Sequence, residues 1–179
     1  MMIRWERFNT YLLAAVAAAA AVVCGCESTG KPGSKKLLSV LRLHVAASPD
    51  ATGAQKTIAV YRQNPVNISV EKQPFLSEGN VAEAKVIDVV GGFALWIKFD
   101  QLGTSLLEEY TAANRGRRIA VFTQFGEKIE HSRWLAAPVI GRIAGGVFTF
   151  TPDATREEAE QIALGLNNLA RKVQKWNEW

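Results

Sequence analysis

The chain has 179 residues, 48% of them hydrophobic, with 21 Lys+Arg against 17 Asp+Glu for a formal charge of +4. That excess is dispersed along the chain and not gathered into a basic stripe, which argues against a nucleic-acid partner. Both cysteines, Cys24 and Cys26, lie near the N-terminus, so the chain beyond them has no thiol for a disulfide or a cysteine metal site.

Residues 1–9 carry Arg4 and Arg7 against Glu6, residues 11–23 are mostly Ala, Leu and Val, and Gly25-Cys26 follows. A basic start, a short apolar core and a small-residue cleavage region compose a secretory signal. The core falls short of the roughly 20 residues that cross a bilayer as a helix. Val23-Cys24-Gly25-Cys26 resembles a bacterial lipobox, with Cys24 where alanine or serine is more usual. The resemblance implies a signal peptide of residues 1–25, lipid attachment (diacylglycerol and palmitate) at Cys26, and a membrane partner reached through that acylated cysteine. Several acyl chains on one cysteine hold stably, since a single chain is marginal and each buried methylene adds about 0.8 kcal/mol. Glu27 follows the cysteine where an aspartate would favour inner-membrane retention in enteric bacteria. The expected location is therefore the periplasmic side of the outer membrane.

Residues 26–36 are rich in Gly, Ser, Lys and Pro and predict a flexible tether. Residues 37–179 are the size of a single domain. Alternation of Leu41, Leu43 and Val45 with Arg42 and His44 predicts a strand over 37–47. Two more short strands are expected at 57–61 and 66–70, split by the turn pair Asn64-Pro65. Pro74 and residues 77–85 suggest a loop leading into a short helix capped by Ser77. Strands 85–90 and 93–99 flank Gly91-Gly92 in a hairpin pattern. Asp100 caps a predicted helix over 101–114, whose Leu102, Leu106, Tyr110 and Ala113 share one face. A strand over 118–125, a loop with a short element over 136–143, and a strand over 147–150 follow. The clearest helix runs over 155–175. Thr155 and Glu158 form its capping box, its acids stand at the start and Arg171, Lys172 and Lys175 at the end. Ala159, Ile162, Ala163, Leu166, Ala170 and Val173 make its buried stripe. The fold class is α+β, a mixed or antiparallel sheet with two main helices packed on one face.

From Gly92 onward several short motifs occur in a telling order. They are Phe99-Asp100 with Gly103, Thr111 with Asn114-Arg115-Gly116, and Ile119-Ala120-Val121. Then come Ala137-Pro138-Val139-Ile140, Ile143 with Gly145-Gly146, Phe148–Phe150, and Thr155-Arg156-Glu157-Glu158-Ala159 with Ile162-Ala163 and Leu166. This set, over roughly residues 92–168, resembles the periplasmic head subdomain of the SecD/SecDF protein-export family. The sequence departs from it at Phe122-Thr123-Gln124-Phe125, where the family has an aspartate-containing turn. The family's proton-coupling membrane domain has no counterpart in these residues, so the resemblance implies a head fold and a mode of contact with extended polypeptide, without the motor.

No catalytic constellation stands out. His44 and His131, far apart in sequence, read as strand or surface histidines and not as a metal pair. Ser105 and Ser132 lack a nucleophile-elbow context, and Glu108 and Glu109 read as solvated helix residues. Asp88, Asp100 and Asp153 sit at element ends, and Gly91-Gly92 and Gly145-Gly146 read as turns and not phosphate cradles. No catalytic residue, cofactor or metal is therefore expected. The candidate polypeptide contact is the apolar stretch of Trp134, Leu135, Pro138, Val139 and Ile140, provided it is exposed. Trp176 and Trp179 at a basic helix end could meet a lipid interface. The expected function is a lipid-anchored, non-enzymatic periplasmic domain contacting exported or other envelope polypeptides. The alternative is a structural envelope lipoprotein that binds cell wall or another surface component.

Overall fold

The computed structural model describes residues 37–47 and 53–177, all within the unit Gly33–Trp179. The signal, Cys26, the tether and Trp179 lie outside the described residues.

Strand β1 (Val40–Val45) buries Leu41, Leu43 and Val45 on one side and turns Arg42 and His44 to the other, as period-two alternation requires. The hairpin β2 (Gln55–Val60) and β3 (Val66–Glu71) forms an antiparallel pair, with Tyr61 at φ 71° turning the chain after β2. After the short β4 (Leu76–Ser77) comes a single 3-10 turn, Glu78–Asn80, and then β5 (Val81–Val89) directly. The expected helix over 77–85 is thus reduced to one turn. The sequence around Ala82-Glu83-Ala84 suits a helix locally, but pairing with β6 (Gly92–Phe99) over the whole strand overrides that preference. Gly91 adopts φ 86° in the connecting turn, a conformation that costs glycine little.

Helix α1 (Gln101–Ala113) is capped as expected: the Asp100 carboxylate accepts from the Gly103 N–H at 2.7 Å. Its buried face differs from the expected one. Gly103, Leu107 and Thr111 face inward, while Leu102 is 63% exposed. The reason is close packing: a Cβ at Gly103 would lie 2.9 Å from the Cβ atoms of both Asn80 and Phe99. Thr111 satisfies its buried hydroxyl by donating to the Leu107 carbonyl at 2.7 Å and accepting from the Ile143 N–H at 2.9 Å.

Strand β7 (Ile119–Phe125) pairs with β1 and with β8 (His131–Ala136), a strand that the patterning of residues 131–136 does not predict. After β9 (Val147–Phe150), helix α2 (Arg156–Asn177) closes the fold. Its capping box forms with both bonds, Glu158 N–H to Thr155 Oγ1 at 3.2 Å and Thr155 N–H to the Glu158 carboxylate at 2.8 Å. Ala159, Ile162, Ala163, Leu166 and Ala170 are buried as expected.

Every pairing among the described strands is antiparallel: β4-β1-β7-β8 in one sheet, β5-β6-β9 in a second, β2-β3 in a third. The larger core joins Leu41, Leu43, Ile119, Val121 and Leu135 of the first sheet to Leu95 and Ile97 of the second, Leu107 of α1, and Ile162 and Leu166 of α2. Each such fully buried side chain contributes about 1.5–3 kcal/mol. A smaller core lies on the other face of the first sheet, where Ala120 and Ala137 meet Ile58, Val60 and Val70 of the hairpin. The fold is α+β, as the patterning implies.

Asn167 of α2 seals the outer edge of β5. Its side-chain amide accepts from the Ala84 N–H at 2.8 Å and donates to the Ala84 carbonyl at 2.7 Å. A single side chain thereby replaces a neighbouring strand at that residue and blunts an edge that would otherwise invite pairing.

Candidate functional site

The stretch from Trp134 to Ile140 is divided by the fold. Leu135 is fully buried in the larger core, and Ile140 is 5% exposed. Both are removed from any external contact, because β8 pairing turns Leu135 inward and the segment after it stays beside the start of β7. There Ile119 N–H donates to the Pro138 carbonyl at 3.0 Å and Ile140 N–H to the Arg117 carbonyl at 2.9 Å. Val139, bridged to Arg118, alternates outward and is 59% exposed, while Trp134 and Pro138 are half-buried. Of the five candidate contact residues, Val139 presents the apolar surface, with Pro138 beside it.

Trp134 belongs to a cluster that the sequence did not reveal. Its ring lies 5.2 Å from the His44 ring and 5.1 Å from that of Phe122, with Lys56 Nζ 5.0 Å from its centroid. His44 Nδ1 is 2.8 Å from the Glu71 carbonyl. Burial pushes the imidazole below its ordinary pKa against the opposing effect of that hydrogen bond, with Lys56 and Arg42 adding to the depression. The alternation of β1 signals that His44 leaves the main core, but its partners come from β2, β3 and β8, which only the tertiary fold brings together.

A second polar cluster ties the hairpin to the start of α2. Arg62 N–H donates to the Asp153 carboxylate at 2.7 Å, and its guanidinium lies 3.7 Å from Glu158. Arg133 of β8 pairs with Glu158 at 2.8 Å. Burial raises the Glu158 carboxyl, yet the hydrogen bonds from Arg133 and the Thr155 N–H, helped by the charges of Arg133 and Arg62, hold it below its ordinary value. The capping residue is thus also an ion-pair hub.

The remaining candidates take structural places. His44 stands opposite Ala120 and His131 opposite Phe125, about 17 Å apart along β7 at the usual strand rise. Among the described residues, no group of three or more His, Cys, Asp or Glu side chains could hold a metal. Asp88 pairs with Arg156, and Glu108 with Arg142. Gly146 sits against Thr104, which a Cβ would strike. Trp176, near the end of α2, is 83% exposed. Among the described residues no helix is long and apolar enough to cross a membrane.

Comparison with known proteins gives a consistent result. The sequence pattern of the SecDF P1 head subdomain matches residues 55–170, a span that begins well before Gly92 and takes in the β2–β3 hairpin. The fold is similar to a crystal structure of SecDF in a super-membrane-facing form, with TM-score 0.52, 22% identity, and 73% of this chain matched to 19% of that one. It is similar also to a structure described as a membrane component, SecDF, that enhances protein export, with TM-score 0.52, 22% identity, and 74% of this chain matched to 64% of that one. The chain therefore spans about a fifth of the first structure and just under two thirds of the second. Among curated proteins none matches. With a matching sequence pattern over most of its length and the corresponding fold, the chain belongs to the SecDF P1 head subdomain family.

Proposed function

We propose that this chain is a lipid-anchored, non-enzymatic periplasmic domain that contacts exported or other envelope polypeptides. The observation that carries the reading is the family match over residues 55–170. One matched structure is of a protein described as enhancing protein export, and the present reading extends a related task to this chain. Cys26 is the lipid site, on the strength of the lipobox, with outer-membrane attachment following from Glu27. Val139 and Pro138 are the apolar surface offered to a partner, in place of the whole stretch from Trp134. The chain acts by binding, through a rigid head held near the membrane by its acylated cysteine.

Two linked experiments test it. Metabolic labelling with palmitate should mark the wild-type chain and not the Cys26→Ala variant. The lipidated chain in detergent should bind an unfolded secretory precursor, measured by fluorescence anisotropy, and Val139→Asp should weaken that binding several-fold. Absence of label in the wild type contradicts the anchor. Absence of precursor binding, together with co-sedimentation on isolated peptidoglycan, would replace the polypeptide partner with the cell wall.

A further inference from the structure

The two ends of α2 differ in chemistry. Its acidic residues, Glu157, Glu158 and Glu160, all stand in the first turns, and from residue 161 to 177 its charged side chains are Arg171, Lys172 and Lys175. Those three are exposed, as is Trp176, whereas the buried stripe ends at Ala170 with Val173 half-buried. The last turns of the helix therefore run past the core. Attraction of cations to the negative helix terminus explains the lysines and arginine. It does not explain an 83% exposed indole beside them. Indole and basic side chains together are the combination that settles at an anionic lipid headgroup layer.

The position of this helix end in the fold gives a second, independent argument. The chain enters the domain against α2: the Asn168 side-chain amide donates to the Leu37 carbonyl at 3.0 Å. A Cβ at Gly165 would lie 2.7 Å from Ser39 N and 2.8 Å from Leu38 C, so residues 37–39 press on the helix backbone itself. From Asn168 to Trp176 is about 12 Å along the axis. The residues that precede Leu37 include Lys31, Lys35 and Lys36. At the opposite end of α2, Arg156 pairs with Asp88, which sets the β5–β6 turn and fully exposed Val90 about 30 Å from Trp176. Traced back toward its N-terminus, the described chain thus runs from Gly165 toward Asn168, in the direction of the basic, tryptophan-bearing end of the helix.

We propose that the last turns of α2, through Arg171, Lys172, Lys175 and Trp176, dock on an anionic phospholipid surface and so set the orientation of the head on its membrane. The inference takes membrane attachment at Cys26 from the proposed function and adds a second, non-covalent contact. One lipid-held point leaves the domain free to tumble at the end of its tether. A second contact gives the head a defined face toward the bilayer and lifts the β5–β6 turn away from it.

The test uses the full chain as processed in cells, with benzoylphenylalanine at position 176 or at position 90. The protein is reconstituted into vesicles of phosphatidylethanolamine with phosphatidylglycerol, or of phosphatidylcholine alone. After irradiation, lipid adducts on the tryptic peptides are counted by mass spectrometry. Each basic residue near an anionic surface changes occupancy roughly fivefold. Adducts should therefore form at 176 and not at 90, and they should fall at least fivefold in phosphatidylcholine. They should fall similarly in the Arg171→Glu, Lys172→Glu, Lys175→Glu variant, whose urea midpoint should match the parent. Equal yields at the two positions, or indifference to lipid charge and to charge reversal, would overturn the proposal. Flotation in about 1 M salt, where electrostatic docking is screened, reads the anchor separately. A chain that floats at low salt and not in high salt sinks the lipid reading of Cys26, and the comparison of 176 with 90 at low salt then decides the docking proposal on the unlipidated chain; a chain that floats in neither sinks both.

Discussion

Replacing Gly165 by alanine probes the contact between α2 and the entering chain. In an exposed helix interior this change stabilises by about 0.8–1 kcal/mol, because glycine carries the larger conformational entropy. At Gly165 the new methyl would stand 2.7 Å from Ser39 N and 2.8 Å from Leu38 C, and closer still to Ser39 Oγ. The hydroxyl can rotate away, but the two backbone atoms belong to the segment leading into β1 and must move with it. Overpacking of this kind costs about 1–3 kcal/mol, which exceeds the propensity gain. The expected net effect of Gly165→Ala is a loss of about 1–2 kcal/mol, a fall of several degrees in melting temperature for a chain of this size. Gly141 is the control: it has open space around its Cβ position, so Gly141→Ala should stay within about 0.5 kcal/mol. Ser39→Ala combined with Gly165→Ala should not recover the loss, since the backbone contacts remain. Urea unfolding followed by far-UV circular dichroism measures all three. A neutral or stabilising Gly165→Ala would refute the packing of residues 37–39 on α2.

Three further outcomes follow from the same physical reasoning. Leu135→Ala should lose about 2–5 kcal/mol through a core cavity, whereas Val139→Ala should change stability by no more than about 0.5 kcal/mol, both by urea midpoint. Asn167→Ala removes the two bonds that seal Ala84 and should cost about 1–3 kcal/mol; it should also speed amide exchange at Ala84 measured by deuterium uptake. Glu158 has a folded pKa below its unfolded value of about 4.5. Its contribution is therefore complete above that value and is lost as pH falls through the lower folded value. Glu158→Gln should lower stability at pH 7 and flatten the acid limb of a stability–pH profile; an unchanged acid limb would contradict the Arg133 and Arg62 pairing.

Much of the fold was legible where one local signal had no rival. The capping box of Thr155 and Glu158, the Asp100 cap and the apolar spacing of α2 all point the same way, and the fold agrees with them. The errors arose where tertiary contacts decide. Ala82-Glu83-Ala84 has helical preference, but β6 supplies a full ladder and Asn167 closes the outer edge. Leu102 completes an apolar stripe on paper, yet α1 can approach Asn80 and Phe99 only through Gly103, so the helix turns that face inward and leaves Leu102 in water. His131, Ser132 and Arg133 show no alternation, and pairing with β7 makes them a strand regardless. The apolar run from Trp134 looked like one surface, but strand geometry sends its members to different sides. The clusters around His44 and Glu158 were not readable, since their members come from segments scattered along the chain.

The most direct test of the central claim is photocrosslinking in living cells, with a benzoylphenylalanine probe at exposed Val139 and a control probe at Val90. The account predicts a ladder of diverse exported chains captured from position 139 and little from position 90. One discrete partner, or adducts only with cell wall, would contradict a role in contacting exported polypeptide and leave the family fold serving another task.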